Sequence, residues 1–346
     1  MKRWGLPLIL SACLLWGLAS WTGCVPRGNT GAPRSLVPSS EATSATPAAT
    51  PALETTPVPP SSTSPPITFA VIGDFGSDDA SERAVAKLVA SRKPSFILTT
   101  GDNYYVEAGG SGTARYERAV GAFYGAWLKG TTSGSRHPIG SAAVNSFFPT
   151  MGNHDYSDAH GPETYLSYFT LPGAGFANTS GNERYYEFVE GPVHFFALDS
   201  NSQEPAGTSP DSMQGRWLRQ RLAASQSPWN VVYFHHPAYS SDAFHGSLAR
   251  MQWPFAAWGA DVVISGHVHT YERINRDGIV YFVNGAGGER PLYTFAAPVA
   301  GSQVRFNATV GAQIATATDT TLEFSFITAN GQLVDSYRLN AASTAK

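Results

Sequence analysis

From residue 67 onward the chain repeats one pattern, a short apolar run closed by a small residue and a polar one. ITFAVIGD at 67–74, SFILTTGD at 95–102 and FFPTMGNHD at 147–155 each read as a buried strand ending in carboxylate or amide chemistry. WNVVYFHH at 229–236 and DVVISGH at 261–267 repeat the design with histidine at the end. SERAVAKLVASR at 81–92 is spaced as an amphipathic helix, and further helical segments are expected around 211–225 and 245–258. Strand interiors of Val, Ile and Phe imply burial on both faces, as in sheets covered by helices. Residues 185–198 add strands. QVRFNATVG, TLEFSFIT and QLVDSYRLN, between 303 and 340, read as a small antiparallel set with an Asn-Gly turn at 330–331. No internal repeat is visible.

The N-terminal part follows other rules. MKRWGLPLILSACLLWGLASWTGC runs from basic residues through an apolar stretch to small residues, which reads as an export signal over 1–24. Cys24 follows Thr22 and Gly23 in a segment resembling a bacterial lipoprotein box, although Trp21 stands where an aliphatic residue is usual. Lipidation of Cys24 is the expectation, with plain secretion or an uncleaved apolar anchor as alternatives. Residues 25–66 are almost entirely Pro, Ser, Thr, Ala and Gly and cannot bury enough surface to order themselves. They are expected to form a disordered tether with a reach on the order of 35 Å. The expected catalytic domain is 67–340, followed by a tail at 341–346. The other cysteine, Cys13, lies in the apolar stretch, so the mature domain has no cysteine for an internal disulfide.

Composition narrows the partners. The 346 residues are 42% hydrophobic and 12% aromatic, enough for a large core. Residues 1–66 hold four of the 23 basic and two of the 26 acidic residues, which leaves 19 against 24, a net of −5, for the rest. A mildly acidic domain argues against nucleic acid as the main partner, because backbone binding needs a basic patch.

Five islands carry the chemistry: GDFG at 73–76, GDNYY at 101–105, GNHD at 152–155, HHP at 235–237 and GHVH at 266–269. They supply Asp74, Asp102, Tyr105, Asn153, His235, His267 and His269. Each has an ordinary alternative: Asp after a strand often caps a helix, a tyrosine fills a core, and histidines decorate loops. A carboxylate directly after an apolar strand is costly to desolvate unless a cation compensates it, and the Gly-Asp step occurs twice. His267 and His269 alternate, which suits two adjacent ions better than one. The seven residues form an oxygen and nitrogen ligand set sized for two metal ions.

This ordered set resembles the calcineurin-like metallophosphoesterase superfamily and, within it, the purple acid phosphatases, over essentially 67–340. The resemblance implies an α/β fold, a four-layer α/β/β/α sandwich of two mixed sheets flanked by helices. It implies one ion held by Asp74, Asp102, Tyr105 and His269, and a second by Asp102, Asn153, His235 and His267, with Asp102 bridging. Tyr105 discriminates most, since purple acid phosphatases bind iron(III) there as phenolate; the second ion would be zinc, manganese or iron(II). Deprotonating a phenol with a free pKa of about 10 calls for a hard, highly charged ion.

In similar enzymes a histidine at the position of His154 contacts phosphate and helps the leaving group, and His245 matches a second pocket histidine. Asn153, His154 and His245 would thus bind substrate, with His154 and His245 catalytic. Asn103, Asp155 and His236 are expected to orient ligands, and Asp199 to be structural or to stand behind the ligands. The implied reaction is hydrolysis of small phosphomonoesters by in-line attack of a metal-bound hydroxide, best at mildly acidic pH, outside the cytoplasm and on a lipid-anchored protein. A phosphodiesterase or nucleotidase on the same fold is the alternative, and a non-catalytic surface-binding lipoprotein a minor one. The loops at 106–146, 200–212 and 286–303 that would shape the pocket are not readable from sequence, nor is the oligomeric state.

Overall fold

In a computed structural model the described residues are 65–105, 112–129, 140–157 and 160–341. The signal, Cys24, all but the last two residues of the tether, and the tail beyond 341 lie outside them. None of the described helices is long and apolar enough to cross a membrane.

The chain opens with β1 (Ile67–Ile72), α1 (Ala80–Arg92), β2 (Phe96–Thr99), α2 (Thr113–Tyr116), a π-helical turn at Glu117–Gly121, α3 (Ala122–Tyr124) and β3 (Phe147–Pro149). It continues with α4 (Glu163–Tyr168), β4 (Tyr186–Glu190), β5 (Val193–Ala197), α5 (Met213–Ala224), β6 (Trp229–Tyr233), α6 (Phe255–Trp258) and β7 (Val262–Ser265). The last six strands are β8 (Tyr271–Arg276), β9 (Ile279–Asn284), β10 (Ser302–Phe306), β11 (Gly311–Ala317), β12 (Thr321–Thr328) and β13 (Leu333–Asn340).

Two mixed sheets result. One has the order β13-β12-β11-β1-β2-β3 and the other β10-β8-β9-β7-β6-β5-β4. In the first, β1, β2 and β3 run parallel. In the second, β5, β6, β7 and β9 run parallel. Aromatic side chains lock the sheets face to face: Phe69 meets Phe195 edge-on at 5.2 Å, and Phe282 lies 5.0 Å from Phe324. Behind the second sheet, Trp217, Leu218 and Leu222 of α5 and Phe255 of α6 form a separate buried cluster with Val232, Phe234 and Val263. Val85 and Val89 of α1 join Phe75, Tyr124 and Phe147 in the main core on the side of the first sheet. The α/β architecture of two mixed sheets with flanking helices is therefore as expected.

Local chemistry sets the helix that follows β1. Asp79 caps α1 by accepting from the N–H groups of Ser81 and Glu82 at 2.8 and 2.9 Å, and Glu82 reaches back to the Asp78 N–H at 2.7 Å. Lys93 ends it in the left-handed region, φ 51°.

Three elements differ from expectation. The helix expected around 245–258 is only a 3₁₀ turn at Ala249–Met251 and the single turn of α6. Pro254 lies between them: it lacks an N–H and biases Trp253 away from helical geometry. The segment at 303–306 does not join the C-terminal strands, because β10 pairs with β8 in the other sheet, while β11 brings β12 and β13 onto β1. The β8–β9 hairpin was not foreseen, although its Asp277-Gly278 turn is a strong signal. Both residues have positive φ, 53° and 85°, as a two-residue hairpin turn requires. The Asn-Gly turn at 330–331 is present, with Gly331 at φ 91°.

Phe195 is fully buried and touches Phe69, Phe96 and Phe188. Phe195→Ala is expected to cost about 3–5 kcal/mol in denaturant unfolding. A loss below about 1 kcal/mol would contradict face-to-face packing of the two sheets through this ring.

Candidate metal centre

The five islands meet at the carboxyl ends of parallel strands from both sheets. Asp74 follows β1, Asp102 follows β2, Asn153 follows β3, His235 follows β6, and His267 and His269 follow β7. Open α/β sheets place sites at such ends. The helix-cap alternative fails for both aspartates, since α1 and α2 are capped by Asp79 and Gly112. Asp74, Asp102 and His267 adopt positive φ, 55°, 51° and 68°, a conformation that non-glycine residues adopt reluctantly. Close backbone approach explains the glycine of GNHD: a Cβ on Gly152 would sit 2.0 Å from Asp102 Oδ1.

The donor atoms converge. The Tyr105 hydroxyl lies 3.4 Å from Asp74 Oδ1, 3.3 Å from Asp102 Oδ2 and 3.2 Å from His269 Nε2. His235 Nε2 is 3.4 Å from Asp102 Oδ2, 3.0 Å from Asn153 Oδ1 and 3.2 Å from His267 Nδ1. The two groups share Asp102. His267 and His269 face different neighbours as expected, but through a bend after β7 and not through strand alternation.

Backbone groups aim these side chains. The His235 ring donates from Nδ1 to the Thr100 carbonyl at 2.8 Å, and His269 Nδ1 to the Pro291 carbonyl at 3.2 Å. Each Nε2 is thereby left with a lone pair directed into the cluster. The N–H groups of His267 and His154 donate to Asp74 Oδ2 at 2.8 Å and Asp102 Oδ1 at 2.9 Å, which fixes the outer oxygens of both carboxylates.

The expected substrate-side histidines also reach the site. His154 lies with its ring 4.4 Å from that of Tyr105, and its Nδ1 is buried with no partner among the described residues. His245 is exposed, its ring 4.3 Å from His267. Asp155 ties the GNHD turn down, accepting from Gly152 N–H at 2.7 Å, Asn103 Nδ2 at 3.0 Å and the Tyr116 hydroxyl at 2.9 Å. Burial and the Asp102 charge push its carboxyl up to about 7. His236 rests its Nδ1 2.9 Å from Ser200 Oγ. Asp199 accepts from the Tyr156 hydroxyl at 2.6 Å and the Asn201 N–H at 2.8 Å.

Several contributors carried no sequence signal. Tyr293, in one of the unreadable loops, stacks on His269 at 4.4 Å and 10°. The Thr100 and Pro291 carbonyls act through the backbone, which no residue type reveals. Ser200 is an ordinary serine until the fold sets it beside His236.

The electrostatics test whether cations fit here. Burial first, then the neighbouring Asp102 charge, push the Asp74 carboxyl well above its usual range, and burial raises Asp102. Burial and the two carboxylates likewise push the Tyr105 phenol up. Burial depresses His235 to about 3 and His267 to about 2, and lowers His269. Acids that resist ionisation beside imidazoles that resist protonation form a site short of positive charge. Bound cations would favour both carboxylates and need the imidazoles neutral, so the donor set fits metal ions.

A family model described as calcineurin-like phosphoesterase matches residues 67–271, more than half of the chain. The chain belongs to the calcineurin-like phosphoesterase family. Within that family the resemblance of its motifs to the purple acid phosphatases is borne out. Purple acid phosphatase 15 of Arabidopsis thaliana is 30% identical over 262 residues, covering 64% of this chain and 45% of that protein. The structure of purple acid phosphatase PPD1 from yellow lupin (Lupinus luteus) seeds shares the fold, with a TM-score of 0.61 at 17% identity over 80% of this chain and 54% of that one. GAP50, described as the anchor in the inner membrane complex of Plasmodium, shares it with a TM-score of 0.59 at 17% identity, over 80% of this chain and 90% of that one. The chain spans about half the length of the curated relatives it matches.

Because burial raises the carboxyl groups of Asp74 and Asp102, protons compete with a cation for them more strongly than for ordinary carboxylates. Affinity for a divalent ion should fall as pH drops from about 7 to 5, by about tenfold per pH unit for each proton displaced. Depressed His235 and His267 stay neutral and add nothing over that range. Titration calorimetry in two buffers of different ionisation enthalpy would register the protons released, and pH-independent affinity with no release would contradict the ligand set.

Proposed function

We propose that this calcineurin-like phosphoesterase is an exported acid phosphatase that hydrolyses small phosphomonoesters at a dinuclear metal centre. The observation that carries the reading is the Tyr105 hydroxyl within 3.2–3.4 Å of Asp74, Asp102 and His269, beside a second donor group of Asn153, His235 and His267. Asp74, Asp102, Tyr105 and His269 would hold iron(III). Asp102, Asn153, His235 and His267 would hold zinc, manganese or iron(II). Bound ions supply positive charge for the phosphate oxygens and lower the pKa of the attacking water.

The chain's own residues do the rest. Asn153 and His154 bind the phosphate oxygens, with the GNHD turn held rigid by Asp155 so that both side chains keep their places. His154 Nδ1, buried with no partner among the described residues, offers a hydrogen-bonding position for a ligand. His245, exposed at the mouth beside His267, stands with His154 as a proton donor to the leaving oxygen. Imidazole suits that role in mildly acidic solution. Export rests on the basic and apolar N-terminal stretch, and membrane attachment on Cys24, both outside the described residues. The site itself would work at the end of the Pro- and Ser-rich tether, on small phosphate esters reaching it from outside the cytoplasm.

Purified protein should cleave p-nitrophenyl phosphate fastest in mildly acidic buffer and bis(p-nitrophenyl) phosphate much more slowly. His154→Ala should lower kcat by about 10²–10⁴-fold. Faster cleavage of the diester would move the chain to the phosphodiesterase or nucleotidase reading. A neutral or alkaline optimum with an inactive His154→Ala variant would overturn the acid-phosphatase reading while leaving dinuclear hydrolysis in place.

A further inference from the structure

His236 stands closer to the centre than an orienting residue needs to. Neighbouring side chains on a strand point to opposite sides, but the chain bends at His235 and His236 immediately after β6. The bend turns both rings the same way. Their centroids are 4.8 Å apart, and the His236 ring lies 4.5 Å from that of His267. One nitrogen from each of His235, His236 and His267 lies within 4.8 Å of the other two, close enough for all three to share an ion.

The remaining contacts of His236 resemble those of His235 and His269. His235 and His269 each tie Nδ1 to a protein oxygen and turn Nε2 inward. His236 ties its Nδ1 to Ser200 Oγ at 2.9 Å, and the same oxygen accepts the His236 backbone N–H at 2.9 Å. Two bonds to one hydroxyl fix both the backbone and the ring. In the tautomer that donates Nδ1–H to Ser200, Nε2 keeps a lone pair.

We infer that His236 is a third imidazole donor to the divalent ion, joining His235 and His267, and that it biases this position toward zinc or iron(II) and away from manganese. The inference rests on the dinuclear reading above. Its chemistry follows from ligand type: imidazole nitrogen favours zinc and iron over manganese, which oxygen donors suit better. Without His236 the position would have two nitrogens against the oxygens of Asp102 and Asn153. With it, nitrogen predominates among the side-chain donors.

The test compares metal retention in the full-length protein and in His235→Ala, His236→Ala, His236→Gln and Ser200→Ala variants. Each is loaded with zinc or with manganese and challenged with a chromogenic chelator. His236→Ala and His236→Gln should weaken zinc retention by at least about the 10–100-fold that loss of even an orienting partner costs. Manganese retention should stay nearly unchanged, so the zinc-to-manganese ratio collapses. Ser200→Ala should lower zinc retention in the same direction by less. Equal losses of zinc and manganese would mark a general structural effect and overturn the inference, as would zinc retention unchanged by either His236 variant while His235→Ala abolishes it. If His235→Ala also retains zinc unchanged, the metal-centre reading itself fails. Weaker inhibition by inorganic phosphate with unchanged zinc retention would make His236 a phosphate contact, and would also overturn its role as a ligand.

Discussion

Two carboxylates buried against each other and against one phenol are the constraint on which the rest of this structure depends. Asp74 and Asp102 are essentially inaccessible to water, and Tyr105 stands between them and His269. Nothing in such a group is comfortable without added positive charge. Much of the surrounding architecture keeps it from relaxing. Positive φ at Asp74, Asp102 and His267 costs of order 1–3 kcal/mol each, strain that persists only where neighbours enforce it. The enforcement is visible in the backbone N–H groups of His154 and His267, each bound to a carboxylate oxygen of the opposite island.

The fold supplies rigidity in two layers. Parallel strands from two sheets deliver ligands to one place, and the aromatic packing of Phe69, Phe195, Phe282 and Phe324 holds the sheets in register with each other. Around the ligands, Asn103, Asp155 and Tyr116 fix the turn that carries Asn153 and His154, while carbonyls of Thr100 and Pro291 choose which nitrogen of His235 and His269 faces inward. His245 stands apart from these, exposed beside His267. On the proposed function, a stiff floor of candidate ligands beside an exposed histidine suits a small, anionic ester that enters from solvent.

Much of this was legible in the sequence for a physical reason. An apolar strand followed by a metal-type side chain, with glycine between them in four of the five islands, is a local statement, and its repetition pointed to both the parallel strands and the candidate ligands at their ends. Tyr105 was readable by its spacing from Asp102. What local pattern cannot reveal is which strands meet: QVRF at 303–306 has the alternation of a C-terminal strand, yet its partner β8 lies in the other sheet. Near 245–258 the apolar spacing resembled a helix, and Pro254 decided otherwise. Groups that act through a backbone carbonyl, or through stacking as Tyr293 does on His269, have no signature of their own. His236 lies between these cases. Its residue type was plain, but only the bend after β6 brings its ring beside His267.

Metal analysis and a visible absorption spectrum of the purified protein test the central claim most directly. The account predicts two ions per chain, one of them iron, and a visible tyrosinate-to-iron band that Tyr105→Phe abolishes. A colourless, iron-free protein that hydrolyses phosphomonoesters at full rate would contradict it.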